Sequence, residues 1–504
     1  MSATLRRRDL LRAAAGLPAG LAAAPVSRPN LLFVFADQMR QMSMGCAGCA
    51  EVQTRHFDRF AAERGAMLTD AVSTLPVCAP YRAAMLTGRY PLSNTVIVNN
   101  ARLPDEMPSL GKVLRENGYR TGYIGKWHLS GEPANRGFVP PGPMRHGFDY
   151  WAAHNCSHAY RRAVYYRDDP NPVPVEGWEP DVQTGLAIDF IRSAPRNQPF
   201  AMVMSWGPPH TPFEAPEEFL ARYRKPLKLR PNVGITSDSL LRIDDSRFRK
   251  RAANPQEVLE EITLRYYAAI SNLDHNFGRL LGCLDELGIA EDTVVVFTSD
   301  HGDMLGSHGQ FHKGQPWEES VRVPFLIAYP REIRGGTRSD VLLGTPDILP
   351  TLLGLMGIRK PGGIQGEDLS PVLRGRSMRG PRSALLTIPC ALTTWGGRWN
   401  RLADGGYGFP PGFMRPYRAV RTRTHTYARD RKGSWMLYDN VKDPYQRNNL
   451  IETRGPGAIP SECQKELADW LDRTRDSFGS DEDYQRWIDL RTGIVREPQR
   501  LVRG

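Results

Sequence analysis

The chain has 504 residues, 40% of them hydrophobic, and a formal charge of +11 at pH 7, which is ample for a large core and for two or more domains. It contains no run of eighteen apolar residues, which excludes a membrane-spanning helix of the usual kind. The basic balance favours anionic partners in general, nucleic acid and membrane surfaces as much as a sulfated or phosphorylated ligand, and most such charges are solvated surface.

The chain opens on Arg6-Arg7-Arg8-Asp9-Leu10-Leu11-Arg12 and a weakly apolar stretch ending at Ala22-Ala23-Ala24. Residues 1–24 therefore read as a twin-arginine export signal, the alternative being a disordered basic tail. Its removal would lower the charge by 3 and deliver a periplasmic or secreted protein. Asn30 to Ala36 (NLLFVFA) is the first of four short apolar runs with the pattern of strands buried on both faces of a mostly parallel sheet, and it ends at Asp37-Gln38. Cys46 and Cys49 are close enough to pair. Without Cys78 the cysteine count is the even number 6, which fits disulfides in an exported chain and fits free thiols equally well.

Cys78-Ala79-Pro80-Tyr81-Arg82 comes next. Pro80 suits the first helical turn, so Cys78 stands where a helix begins and where free N–H groups attract oxyanions. Arg82, one turn on, adds a planar cation able to fork onto a sulfate or phosphate. A buried structural cysteine is the bland alternative. Thr121 to Gly125 leads into Lys126-Trp127-His128, Phe200 to Trp206 into Gly207-Pro208-Pro209-His210, and Thr293 to Ser299 into Asp300-His301-Gly302-Asp303. Functional groups in open α/β sheets gather beyond the carboxyl ends of strands, and all four ends carry such groups here. Asp37 and Asp300 are natural hard ligands for a divalent cation, without which two buried carboxylates would repel.

From Gln256 to Leu287 apolar residues step by three or four, one face of a long helix, on which Asp274 and His275 read as structural. Arg222 to Arg251 reads as an inserted loop. Composition shifts after Ile358, and Pro361-Gly362-Gly363 begins a crossing between a catalytic part, 28–360, and a smaller α+β part, 375–504. In the latter, Ala419 to Ala428 and Ser434 to Asp439 predict a hairpin, and Ser461 to Arg473 a closing helix. Trp395 to Phe413 is either a pocket overhang or an ordinary surface loop.

Cys78-x-Pro80-x-Arg82 followed by Leu86-Thr87-Gly88-Arg89 resembles the signature of the formylglycine-dependent sulfatases of the alkaline-phosphatase superfamily. Gly125-Lys126-Trp127-His128, Pro209-His210-Thr211, the position of Lys313, and Leu437-Tyr438-Asp439-Asn440 near the end extend the likeness. The resemblance implies an α/β fold with a large, mostly parallel sheet flanked by helices and a smaller C-terminal subdomain. It implies oxidation of Cys78 to formylglycine by a formylglycine-generating enzyme, and one Ca2+ ion held by Asp37, Gln38, Cys78, Asp300 and His301. Arg82, Lys126, His128, His210 and Lys313 would complete the catalytic set around a sulfated small molecule or glycan.

The chain departs from the family pattern at Gln38, where many members have a second aspartate, at His301, where many have asparagine, and at Tyr81, where a small residue is usual. An amide carbonyl and an imidazole leave the metal's identity open. Asn99 or Asn100 matches a polar residue near the nucleophile of related phosphonate hydrolases. The expected activity is hydrolysis of an organic sulfate ester. The alternatives are a phosphodiesterase or phosphonate monoester hydrolase on the same fold, and a non-catalytic binder of sulfated glycans.

Overall fold

The structure is a computed structural model that describes residues 28–99, 101–131, 137–241, 243, 245–391 and 415–492. The expected export signal, Asn100 and the stretch from Trp395 to Phe413 lie outside the described residues.

Ten strands build the larger part: β1 (Asn30–Asp37), β2 (Ala66–Val72), β3 (Arg120–Lys126), β4 (Tyr150–His154), β5 (Val164–Tyr165), β6 (Val173–Pro174), β7 (Phe200–Pro209), β8 (Thr293–Ser299), β9 (Phe325–Ala328) and β10 (Thr337–Gly344). Eight of them form one sheet in the order β10-β2-β9-β8-β1-β7-β3-β4, while β5 and β6 pair apart from it. Only β9 runs antiparallel to its neighbours, so the sheet is mostly parallel. The reason β1 is apolar throughout is visible in its surroundings. Leu31, Phe33 and Phe35 enter the core on one face, and Leu32, Val34 and Ala36 enter the core on the other. β1 is also central, and its end is flanked by the ends of β7 and β8.

The long helix spans Pro255–Glu286 and buries Leu259, Ile262, Tyr266, Ile270, Leu273, Phe277, Leu280 and Leu284. Asp274 on it accepts the N–H groups of His56 (3.1 Å) and Phe57 (2.7 Å), capping the short helix Arg55–Arg59, and His275 is exposed. The stretch expected to be a plain inserted loop carries two short helices, Ser237–Leu241 and Ser246–Arg249. They hold there because Leu240 and Phe248 are buried in the core around the long helix.

The C-terminal sheet is antiparallel and takes its strands in sequence order: β11 (Ser383–Ile388), β12 (Tyr417–Thr422), β13 (His425–Asp430) and β14 (Gly433–Asp439). The single run expected from Ala419 to Ala428 is thus two strands. Thr422 Oγ1 accepts the N–H groups of Thr424 (3.3 Å) and His425 (2.9 Å) and turns the chain between them. The closing helix, Ser461–Thr474, packs Cys463, Leu467 and Trp470 against Leu385, Val420 and Leu437. All seven cysteines are free thiols, Cys46 and Cys49 among them, so of the two explanations of the cysteine count the structure holds the free thiols. Among the described residues no helix is long and apolar enough to cross a membrane.

Candidate active site

Cys78 opens the helix Cys78–Thr87, entered through extended Val77 and closed by Gly88 at φ +62°. Every residue of this helix is buried. Asn99 Oδ1 accepts the Ala79 N–H (3.1 Å), so one orphan donor of the first turn is satisfied by the protein itself. Tyr81, the departure from the signature, points away into the core, with its ring 6.4 Å from that of Phe35.

Around Cys78 the strand ends converge. Asp37 from β1, and Asp300 and His301 just past β8, place one ligand atom each within 4.8 Å of one another and of Cys78 Sγ, all buried. His301 Nδ1 lies 3.0 Å from the Gly302 carbonyl, which fixes the proton there and leaves Nε2 as a lone pair. That lone pair stands 3.3 Å from Cys78 Sγ, 3.8 Å from Asp37 Oδ1 and 3.5 Å from Asp300 Oδ1. Burial brings His301 down to about 4, against the pull of Asp300, so no imidazolium proton reconciles these acceptors. A divalent cation would, and two carboxylates with an imidazole suit one.

Arg82 is differently placed from the expectation. Its Nη1 donates to the Lys126 carbonyl and Ser205 Oγ (both 2.6 Å), and its Nη2 to Asp37 Oδ2 and Asp300 Oδ2 (both 3.1 Å). The fork expected to face sulfuryl oxygens is spent inside the protein, Nη1 on a carbonyl and a hydroxyl and Nη2 on the two buried carboxylates, which need a counter-charge. Lys126 Nζ donates to Asp37 Oδ2 (2.6 Å), its one hydrogen bond among the described residues, and keeps two donors for an anion. Burial would raise Asp37, yet Lys126 and Arg82 hold it well below the usual carboxylate range. Burial and then Asp37 push the Cys78 thiol up, so the unmodified side chain is a poor nucleophile despite its helix N-terminus.

Lys313 closes the other side: its Nζ lies 2.8 Å from Gln38 Oε1, 2.8 Å from His210 Nε2 and 3.4 Å from Cys78 Sγ. His210 Nδ1 is 2.8 Å from the Thr211 carbonyl and so carries the proton, leaving Nε2 to accept from Lys313. Burial and Lys313 hold His210 well below the usual imidazole range. His128, at φ +59°, is buried beside Lys126, its Nδ1 has no hydrogen-bond partner among the described residues, and it is likewise held low by burial and Lys126.

A family profile described as Sulfatase matches residues 29–358. The chain belongs to the sulfatase family. It is 37% identical to an ulvan-active sulfatase of Formosa agariphila over 91% of this chain and 84% of that one. It is 29% identical to an endo-4-O-sulfatase of Bacteroides thetaiotaomicron over 85% and 89%. A solved structure from work on glycosaminoglycan metabolism by Bacteroides thetaiotaomicron superposes with a TM-score of 0.75 at 27% identity, covering 92% of this chain and 99% of that one. The protein is a sulfuric ester hydrolase with the alkaline-phosphatase-like fold.

Several residues of this sulfatase pocket escaped the reading of the sequence. His158 stacks its ring on His210 (centroids 4.1 Å apart, 7° between planes), and Tyr160 OH lies against the carbonyls of Gly207, His210 and Thr211. Both follow β4, whose apolar run Tyr150-Trp151-Ala152-Ala153 was not read as a strand; the strand-end rule would have found them. Ser205 is the partner of Arg82 from within β7. Asp303 is buried behind Gln38 and accepts its Nε2 (2.7 Å).

Proposed function

We propose that this sulfatase hydrolyses the sulfate esters of a glycan through a formylglycine made from Cys78, with a divalent cation, calcium in our reading, held by Asp37, Asp300, His301 and that residue. The observation that carries it is the convergence on Cys78 Sγ, which stands in for the aldehyde-hydrate oxygens, of His301 Nε2 at 3.3 Å, Lys313 Nζ at 3.4 Å and Asp37 Oδ1 at 3.6 Å. The modified side chain would supply an oxygen nucleophile in place of a suppressed thiol, and the cation would sharpen its acidity and polarise the sulfuryl group.

The chain's own residues do the rest. Arg82 fixes both carboxylates in place through Nη2. Lys126 turns its two spare donors toward the charge that grows on the sulfuryl oxygens. Lys313 holds a proton within 3.4 Å of the nucleophile position and delivers it to the departing alkoxide, with His210 neutral behind it. His128, held low by burial and Lys126 and with Nδ1 unpartnered among the described residues, is suited to take the second hydroxyl proton when sulfate is expelled. A glycan is favoured because the relatives are named for ulvan, for endo-4-O-sulfate and for N-acetylglucosamine-6-O-sulfate. The twin-arginine segment supports action outside the cytoplasm.

The test is to produce the chain with a formylglycine-generating enzyme, read the mass of the Cys78 peptide and the bound metal, and compare turnover of sulfated oligosaccharides, an aryl sulfate and a phosphate diester. Modified Cys78 with a preference for sulfate is expected. An unmodified thiol in active protein, or a strong preference for phosphorus, would overturn the reading.

A further inference from the structure

The residues that follow β4 set a second line of side chains against the pocket, and their hydrogen bonds fix which atom of each is left to face a ligand. His158, half-buried and four residues past β4, lays its ring on that of His210 (centroids 4.1 Å apart, 7° between planes). His210 Nε2 in turn lies 2.8 Å from Lys313 Nζ, so His158 stands on the side of the pocket where the alcohol departs. Burial and Lys126 hold His158 well below the usual imidazole range while Asp37 pulls the other way, so the ring is neutral and lies within the field of the catalytic groups.

Tyr160 settles the tautomer. Its hydroxyl is buried among the carbonyls of Gly207 (3.2 Å), His210 (3.1 Å) and Thr211 (3.4 Å). The ring is seated there because Gly207 has no side chain: a Cβ at that position would stand 2.4 Å from Tyr160 Cε1. A carbonyl oxygen only accepts, so the one phenolic proton is spent on these groups. Toward His158 Nδ1, 3.2 Å away, the phenol is then an acceptor, and Nδ1 carries the imidazole proton. Nε2 is left as a lone pair. Its one hydrogen-bond partner among the described residues is Cys156 Sγ at 3.9 Å, and a thiol is a weak donor. Beside His210 there is thus a fixed, half-buried acceptor whose present donor a stronger one would displace.

We propose that His158 Nε2 accepts a hydroxyl of the departing sugar, from a carbon next to the sulfated one, and so decides which sulfate esters of a glycan are hydrolysed. The inference rests on the glycan sulfatase reading above. A sugar hydroxyl donates where a second sulfate or an ether oxygen only accepts, and it is a stronger donor than the Cys156 thiol. The neighbouring hydroxyl is also the donor closest to the ester oxygen, the atom that Lys313, the partner of His210, protonates. An ester without that hydroxyl covers Nε2 and leaves it no donor but the thiol, which is how a site built for a hydroxyl rejects an analogue that lacks one.

The experiment measures kcat/KM for methyl glycoside monosulfates and takes the ester that the parent hydrolyses fastest. That ester is compared with its deoxy analogues, each hydroxyl next to the sulfate being replaced in turn by hydrogen, in the parent, His158→Phe and His158→Gln. In the parent, one of these replacements should cost on the order of 10–100-fold. In His158→Phe, which keeps a flat ring on His210 but offers no acceptor, the same replacement should cost less than about 3-fold. His158→Gln, whose amide oxygen can take the place of Nε2, should fall between the two. Each ratio is taken within one protein, so a general loss from disturbing His210 cancels. A parent indifferent to every neighbouring hydroxyl, a His158→Phe variant that keeps the parent's ratio, or a parent that hydrolyses 4-nitrophenyl sulfate and none of the glycosides would overturn the inference. A parent that turns over no sulfate ester would instead sink the sulfatase reading beneath it.

Discussion

At the level of single residues the pocket is a set of donor–acceptor mismatches and their resolutions. His301 Nε2 presents a lone pair to two carboxylate oxygens with its proton committed elsewhere, so its natural partner is a cation. His301→Ala should therefore weaken divalent-ion affinity by about 10–100-fold or more, read as retained metal after dialysis against graded chelator. Arg82 resolves the opposite mismatch. It is 1% exposed and bridges two fully buried aspartates, and removing one partner of such a group strands charge in a low dielectric. Arg82→Met should cost about 3–5 kcal/mol in denaturant unfolding, whereas a residue that only touched substrate would leave stability unchanged. Arg82→Lys keeps the charge but has three donors for four acceptors, and should fall between the two.

At the level of elements, polar groups hold the helices and turns that the apolar pattern alone leaves undefined. Asp274 caps the helix Arg55–Arg59 from the long helix, and burial pushes its carboxyl up to about 7 in spite of two backbone donors. With that pKa above the unfolded value of about 3.9, the native chain holds an extra proton between the two. Stability then falls as pH rises from about 4 to about 7, by up to ~1.4 kcal/mol per pH unit. Asp274→Asn has no such proton, so its cost relative to the parent should lessen by about 2 kcal/mol between pH 5 and pH 7 in urea titrations. The four strands that carry catalytic ends were legible because each is buried on both faces and so reads as an unbroken apolar run; β8 was placed to the residue, and β1 and the long helix to within one. β10 was not legible, since its burial alternates and it holds Arg338, Ser339 and Asp340. The break at Thr422 depends on one hydroxyl finding two N–H groups, which no periodicity encodes. In the pocket, motifs gave the identities of the residues, while the commitment of Arg82 to carboxylates and of Gln38 to Lys313 follows from contacts between residues 45 to 275 positions apart in the chain.

Across the whole molecule, the small sheet also serves the site. Lys313 lies on the loop between β8 and the helix Glu318–Val321, and that helix is gripped from the C-terminal part. Arg421 on β12 donates to Glu318 Oε1 (2.8 Å) and Oε2 (3.1 Å) and to Asp70 Oδ1 on β2 (2.6 Å), and Gln446 Oε1 accepts the Glu318 N–H (2.9 Å). The guanidinium is 2% exposed and Glu318 4%, so this is a buried bidentate tie between the two sheets. Burial would raise Glu318, but Arg421 outweighs it and holds it below the usual range. A depressed folded-state pKa contributes stability that is complete above the unfolded value of about 4.3 and is lost as pH falls through the folded one. Arg421→Met removes most of this: Glu318 keeps only Arg322 (3.4 Å) as an ion-pair partner, its pKa moves up toward the unfolded value, and the charge-dependent stability that the parent has above that value shrinks. The substitution should thus cost about 3–5 kcal/mol near neutral pH and progressively less toward pH 4, measured as the gap between parent and variant in denaturant midpoints. A gap independent of pH would mean that the tie contributes packing alone, and that the loop carrying Lys313 is held by something other than charge.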